Sequence, residues 1–343
     1  MSRNLSILLS VLVFVSCSEV DDYFLSGSDV PQARELYTLV ASETDHAVRA
    51  VATERLAGHL LVDHGPHALN AYLTTFVERN PDDEYGALYL SIVAQNYLDQ
   101  GARDLARYYF ERVITGYPDV VVRGTSLRKQ ALEQIVRLSD SPAERASYYQ
   151  MLLDEYDTSV DRGLIHYRLG QNFEELGEWE RAFEAYRAFL QYPNAVVPGE
   201  PNAHRDVTDR INFYDSSKDW TVATLEELRR GITAALLNKN ASALLNYQAN
   251  VNFFTRSWEQ DFDDPNVSGF WGIGEILRLT RSLEVGQSVS IDDDGDEAYL
   301  YTYGWGGLRI RTWYLYFRKV DFPADPEIHG TWEWAGVYLG ERL

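Results

Sequence analysis

Apolar and polar residues alternate with the period of an α-helix through the middle of the chain. Apolar residues in 88–98 recur every three or four positions, Gly101 interrupts the pattern, and 103–115 resume it. The same arrangement surrounds Gly177 within 163–194. This spacing puts the apolar side chains on one face of each helix, and the glycines allow turns. The pattern therefore predicts helical hairpins.

The ends of these helical stretches are similar to one another. The four segments read FVERNPD, VITGYPD, LLDEYDT and FLQYPNA. Pro81 and Pro118 lie 37 residues apart, and Tyr117, Tyr156 and Tyr192 follow one another at steps of 39 and 36 residues. A period in this range is typical of a solenoid built from helix pairs.

The hairpins resemble tetratricopeptide (TPR) repeats. In the two clearest units, 86–119 and 163–194, the signature positions of that family hold Val93, Ala94, Tyr97, Ala106, Phe110 and Pro118, then Leu169, Gly170, Phe173, Ala182 and Tyr186. Weaker units cover 50–82 and 126–157. The repeat ends are also similar to those of envelope lipoproteins such as the TPR subunit of the outer-membrane barrel-assembly machine. The resemblance implies a leading helix and about four helix pairs over 31–194, and a generic helical bundle is the alternative.

The TPR resemblance also implies a groove, lined by the first helix of each pair, that holds a segment of a partner protein. The groove positions of the family map to these candidate partner-binding residues: Gln95, Asp99, Tyr167, Gln171 and Glu174. An exposed amide can pair with the backbone of a partner, and the carboxylates favour a basic segment. For any one of these residues, an ordinary solvated helix face is the alternative.

The periodicity changes in the second half of the chain. Two prolines and many polar residues in 195–220 predict a linker, and 221–240 has the spacing of an amphipathic helix. The segment 250–258 is expected to be a strand, and from 283 onward the period is two. The sequence therefore predicts an α+β protein overall. An all-α TPR solenoid is followed by a C-terminal α+β domain, 221–343, with an antiparallel meander sheet.

Aromatic residues are dense in the predicted strands. Tyr299, Tyr301, Tyr303 and Trp305 alternate along one segment and are expected on one face of a strand. Such a face would form a platform on which sugars stack, although aromatic strand faces more often pack as core. The competing hypothesis for function is therefore a small-ligand or glycan-binding lipoprotein that acts through this domain.

The first residues of the chain resemble a bacterial lipoprotein signal. The apolar run Leu5–Val15 is too short to span a bilayer, but it has the length of a signal-peptide core. Cys17, the one cysteine of the chain, follows at once. The resemblance implies a leader over 1–17, lipidation of Cys17 and a tether over 18–30. We expect a lipid-anchored protein of the bacterial cell envelope, at the periplasmic face of the outer membrane rather than at the inner membrane; secretion without the lipid and a cytosolic location are the alternatives.

The charge of the chain argues against nucleic-acid partners. It has 31 lysines and arginines against 52 aspartates and glutamates, a net charge of −21. Such a surface repels phosphate backbones. The expected partners are envelope proteins in the groove and the lipid bilayer through the acyl anchor.

Motifs for catalysis are absent from the sequence. It holds no G-x-S-x-G, H-E-x-x-H, phosphate loop or paired-cysteine metal motif. The stretch DDDGD at 292–296 is interpreted as a hairpin turn rather than a calcium loop, because Glu297 stands where an EF-hand needs glycine. His59, Asp63 and His67 are interpreted as polar residues of a repeat junction rather than as zinc ligands. We therefore predict a non-enzymatic protein without catalytic residues, metal sites or cofactors; an enzyme with an unrecognised carboxylate site in the α+β domain is the alternative.

Overall fold

The computed structural model describes residues 30–259, 272–306 and 309–342. Cys17, the predicted leader and the tether up to residue 29 lie outside the described residues. The chain divides into two compact units, and the division falls between Leu176 and Gly177. Among the described residues, the helices are all too short or too polar to cross a membrane.

The described part of the first unit consists of helices that pack consecutively against one another. They are α1 (Val30–Ser42), α2 (His46–His64), α3 (Pro66–Arg79), α4 (Gly86–Asp99), α5 (Arg103–Gly116), α6 (Leu127–Leu138), α7 (Pro142–Tyr156) and α8 (Arg162–Glu175). The leading helix is α1, and α2–α3, α4–α5 and α6–α7 are helix pairs at the predicted places. The fourth predicted pair crosses the division between the two units: its first helix is α8, and the segment of its second helix belongs to the second unit.

Short polar side chains begin several of these helices. Asp45, Ser126, Ser141 and Asp161 each accept a hydrogen bond from a backbone N–H in the first turn that follows. These bonds satisfy N–H groups that have no partner within the helix. The repeat boundaries are therefore set by local chemistry as well as by the apolar pattern.

Small residues allow close packing within the pair α4–α5. Val93, Ala94 and Ala106 have no exposed surface. Two buried asparagines add a polar contact to the core, because Asn96 Nδ2 donates to Asn70 Oδ1 over 2.7 Å. Of the signature positions in this unit, Val93, Ala94, Ala106 and Phe110 are thus core positions, whereas Tyr97 is half-buried and Pro118 is exposed.

A small hairpin is inserted between α5 and α6. Its two strands are β1 (Val121–Val122) and β2 (Thr125–Ser126), which pair antiparallel. Its base is fixed where Ser126 Oγ donates to Asp119 Oδ2 over 2.7 Å and Tyr156 Oη donates to the same oxygen over 3.0 Å. The sequence pattern did not predict this hairpin.

The second unit combines helices with a five-stranded sheet. Its helices are α9 (Trp179–Phe189), α10 (Ala203–Asp215), α11 (Leu225–Leu237), α12 (Ala241–Leu245) and α13 (Ile273–Leu279). Its strands are β3 (Phe254–Ser257), β4 (Glu284–Ile291), β5 (Glu297–Tyr303), β6 (Thr312–Lys319) and β7 (Trp332–Leu339). The predicted fold class, a helical array followed by an α+β domain, is confirmed.

The sheet has the strand order β3-β7-β6-β5-β4. Strands β4 to β7 form the predicted antiparallel meander, whereas β3 pairs parallel to β7. Residues of α11, α12 and α13 share one hydrophobic core with one face of the sheet. The parallel edge strand is possible because α13 and the meander separate β3 from β7 along the chain.

The segment 195–220, expected to be a linker or a long ordered connection, contains the helix α10. Phe213 of α10 packs edge to face against Trp220 and Phe322, with ring centroids 6.1 Å and 5.1 Å apart. Tyr214 stacks on Phe183 of α9 at 3.9 Å. Long-range aromatic contacts therefore order a segment that looks like a loop by composition.

Trp305 lies on the other side of the sheet from the position that alternation predicts. Strand β5 ends at Tyr303, and Gly304 follows with a φ of +98°. This left-handed residue turns the chain, so Trp305 enters the helix-covered core, where it stacks on Trp313 at 4.2 Å. Strict alternation therefore fails where the strand ends.

Candidate functional site

Two of the predicted groove residues lie together on the exposed surface of α4. Gln95 Nε2 donates to Asp99 Oδ1 over 2.7 Å, one turn apart on the helix. Both residues are exposed. An exposed amide and carboxylate side by side provide both hydrogen-bond donors and acceptors for a peptide backbone.

The other three predicted groove residues lie on α8 and are less accessible. Tyr167 is buried, with 6% of its surface exposed. Gln171 is half-buried; its Nε2 donates to Tyr167 Oη over 3.4 Å, and its Oε1 accepts from Arg168 Nη1 over 2.6 Å. Glu174 is half-buried on the same helix. On α8 the tyrosine offers little surface to a partner, and the amide is engaged within the helix.

Sequence reasoning missed a more exposed surface on α2. Leu56 and Ala57, both buried, stand 37 residues before the core positions Val93 and Ala94 of α4. Applying the same offset to α4 positions 88, 91, 95, 98 and 99 identifies the α2 face, which we define as Val51, Glu54, Gly58, Leu61 and Val62. The 37-residue offset between repeats is therefore the sequence signal that could have identified the α2 face.

Apart from Glu54, the α2 face is apolar and open. Val51, Leu61 and Val62 are exposed, with Val62 at 84%. A Cβ built on Gly58 would meet no atom within 4 Å. A glycine inside a helix costs about 0.5–1 kcal/mol relative to alanine, and at this position no neighbouring group requires it. An exposed aliphatic surface around such a glycine is typical of a place where another chain can approach closely.

Ion pairs link neighbouring elements of the first unit. Arg49 of α2 pairs over 2.9 Å with Asp83 in the loop before α4, while Arg107–Glu144 and Arg145–Glu175 join different helices over 2.8 and 2.6 Å. Hydrogen bonds from Ser139 and Arg107 lower the pKa of Glu144. These charged groups therefore serve cohesion of the first unit rather than chemistry on a substrate.

The second candidate site, the aromatic face of the sheet, is mostly packed. Tyr299 and Tyr316 donate their hydroxyls to the two oxygens of Glu297 over 2.7 Å each, and burial, with Glu297, raises the pKa of both phenols. Tyr299, Tyr316 and Tyr338 are each 7% exposed. Trp258 stacks on Tyr338 at 4.2 Å. These rings pack against one another, and this packing supports the interpretation as core rather than as a platform for sugars.

The sequence raised two stretches as alternatives for a metal site, 292–296 and the histidines around Asp63. At 292–296, Asp292 Oδ1 accepts backbone N–H bonds from Gly295, Asp296 and Glu297, which makes the stretch a hydrogen-bonded turn of the hairpin β4–β5. Within the residues that the structure describes, no three His, Cys, Asp or Glu side chains group closely enough to hold a metal ion.

Comparison with known proteins identifies one repeat. Residues 166–195 match the tetratricopeptide repeat family. Among solved structures, the crystal structure of MamA is similar, with 13% identity over 46% of this chain and 90% of that chain and a TM-score of 0.31. No curated protein matches the sequence. The matched segment contains most of α8 and all of α9, where the sequence already suggested a clear unit. The chain therefore carries a tetratricopeptide repeat, a module that is typical of non-enzymatic protein-interaction scaffolds.

Proposed function

We propose that this protein is a lipid-anchored scaffold of a bacterial cell envelope that binds partner proteins through the first helices of its TPR array. The observation that carries this proposal is the run of helix pairs, with a TPR match at 166–195 and an exposed polar pair on α4. Arrays of this kind bind segments of other proteins along one face. The anchor is supported by the order of an apolar run, Leu5–Val15, and the single Cys17.

The chain offers a matched pair of variants to test the binding face. Gln95 and Asp99 on α4 are hydrogen-bonded one turn apart, and Gln150 and Asp154 on α7 form the same pair over 2.9 Å. All four residues are exposed. In the TPR arrangement α4 is a first helix and α7 a second helix, so only the former should face a partner.

The experiment is photo-cross-linking and capture of the full chain from envelopes of the native organism. Replacing both Gln95 and Asp99 by alanine should remove the captured proteins, while the same change at Gln150 and Asp154 should leave them. Equal capture by both double variants would place the partner elsewhere. Loss with both would mean that the substitutions act through general surface charge.

The anchor is tested separately. The wild-type chain should incorporate labelled palmitate and partition into the detergent phase, and Cys17→Ser should do neither, because a lipid chain on the thiol is what holds the chain to the bilayer. Membrane fractionation should then find the protein with the outer membrane. A wild-type chain that takes up no lipid would refute the anchor while leaving the scaffold proposal standing.

A further inference from the structure

The inserted hairpin reaches back to the α2 face. Arg123 Nη2 donates to both Glu54 Oε1 and Glu54 Oε2 over 2.9 Å, although the two residues lie 69 positions apart. Arg123 occupies the turn between β1 and β2 with a φ of +51°. The hairpin therefore links the third helix pair, at whose start it is anchored, to the first.

This link is weak. The side chain of Arg123 is 78% exposed and that of Glu54 is 34% exposed. Ion pairs in such solvent-exposed positions contribute little, because water screens them and two long side chains must be held in place. Another guanidinium or ammonium group can therefore replace Arg123 at little cost.

Two carboxylates on the first helices provide places for a basic group. The five positions of the α2 face and their five equivalents on α4 include Glu54 and Asp99, and the exposed Arg55 stands beside Glu54 on α2. The residues before Arg123 are aliphatic, Val120 to Val122, with Val121 largely exposed. The chain itself thus presents an aliphatic strand followed by an arginine to Glu54.

We propose that the α2 face binds an extended segment of a partner protein that carries aliphatic side chains and an arginine or lysine. In the unbound chain, Arg123 occupies the place of that basic group on Glu54. The partner's aliphatic side chains cover Val51, Leu61 and Val62, and its backbone passes close to Gly58. An extended segment of eight residues spans about 26 Å, which exceeds the roughly 17 Å of helix from Val51 to Val62. This inference rests on the proposed function, because it names the partner chemistry of the same helix array.

The probe for the test is a synthetic peptide with the sequence of residues 119–126, DVVVRGTS, labelled for fluorescence anisotropy. A control peptide has glutamine in place of the arginine. Both are titrated against the full chain and its Arg123→Gln, Glu54→Gln and Val62→Asp variants. Leu105→Asp is the matched control, since Leu105 is exposed on α5, a second helix.

The arginine peptide should bind the Arg123→Gln variant about 1.4- to 5-fold more tightly than the wild type, the range that corresponds to one exposed ion pair. The Glu54→Gln variant should bind both peptides equally, Val62→Asp should bind neither, and Leu105→Asp should behave as the wild type. Hydrogen exchange of the hairpin amides should also be faster in Glu54→Gln, where the link is broken.

The inference is overturned if the arginine peptide binds Arg123→Gln no better than the wild type, or does not bind that variant at millimolar concentration. Its failure is distinct from that of the proposed function. Partner capture can depend on Gln95 and Asp99 while peptide binding does not change with Arg123 or Glu54. That result would support the scaffold proposal and refute only the binding role of the α2 face.

Discussion

The two units of the chain are stabilised in different ways. The first unit packs small and aliphatic side chains such as Val93 and Ala94 between neighbouring helices, and the pair Arg107–Glu144 lies at a partly exposed position. The second unit concentrates large aromatic side chains, with Trp305, Trp313 and Trp334 at 1% exposure or less. A repeat array adds its stability from neighbour to neighbour, whereas a sheet domain depends on a few contacts between distant residues. Substitutions in the two units should therefore differ in how much they lower the free energy of unfolding and in how far along the chain their effect extends.

The largest effect is expected at Trp334 in β7. It has no exposed surface, meets Phe253 edge to face at 5.2 Å and donates from Nε1 to Gly336 O over 2.9 Å. Trp334→Ala should lower the free energy of unfolding of the second unit by about 3–5 kcal/mol, through lost burial and a large cavity. Urea denaturation followed by tryptophan emission measures it.

The contrast for this change is Leu73→Ala in α3, which also removes a side chain without exposed surface. It should cost about 2–5 kcal/mol, and the loss should appear in helix circular dichroism rather than in tryptophan emission. If both variants lowered both signals at one common midpoint, the two units would unfold as one, and the comparison would be wrong.

A buried carboxylate provides the next effect. Glu333, at 1% exposure, accepts from Trp220 Nε1 over 2.7 Å and from Arg318 Nε over 2.6 Å. Removing it leaves a buried indole N–H and a half-buried guanidinium without this acceptor. Glu333→Ala should therefore cost about 3 kcal/mol by thermal or urea unfolding. Glu333→Gln keeps an acceptor and should cost less; equal losses would show that packing, rather than hydrogen bonding, explains the effect.

Smaller effects are expected from the pH dependence of the first unit. Hydrogen bonds from Arg128 lower the pKa of Glu155 from its ordinary value of 4.5. A carboxyl whose pKa is lowered by folding stabilises the folded state above its unfolded pKa, and this contribution is lost as the pH falls through the folded value. Between neutral pH and about pH 3 the wild type should lose more of its urea midpoint than Glu155→Gln does. An equal loss would mean that this pair contributes nothing.

The helix pairs could be predicted from the sequence because their determinants are local. The apolar spacing around Gly101 and the 37-residue period both act within one repeat. The helix α10 could not be predicted in the same way, since its order comes from Phe213 packing on Phe322, over a hundred residues away. Likewise, Gly304 redirects Trp305, and this turn depends on tertiary context rather than on alternation.

The candidate site was only partly accessible to sequence reasoning. Gln95 and Asp99 lie at the exposed positions that the TPR pattern indicates. Tyr167, by contrast, is buried. A family position predicts which helix face a residue lies on, but it does not predict how neighbouring side chains cover that residue. The α2 face was missed because the first repeat matches the family poorly, and its value as a surface depends on the exposure of Val62 and on the distant Arg123.

The smallest expected effect is at Gly58 in the first unit, and Gly86 in the same unit is its contrast. A Cβ on Gly58 meets nothing within 4 Å, whereas a Cβ on Gly86 would clash with the ring of Tyr117. Gly86→Ala should destabilise the unit by about 1–3 kcal/mol through overpacking. Gly58→Ala should stabilise it by about 0.5–1 kcal/mol, because alanine favours the helix and no strain opposes it.

Gly58→Ala therefore distinguishes an effect on the stability of the helix from an effect on the binding of a partner. If a partner backbone passes close to Gly58, the added methyl group should weaken binding of the arginine peptide while the thermal midpoint rises. A rise in the midpoint with unchanged binding would show that the aliphatic side chains alone make the contact. A fall in the midpoint would mean that Gly58 is needed by the fold itself, and the open surface around it would then have no bearing on recognition.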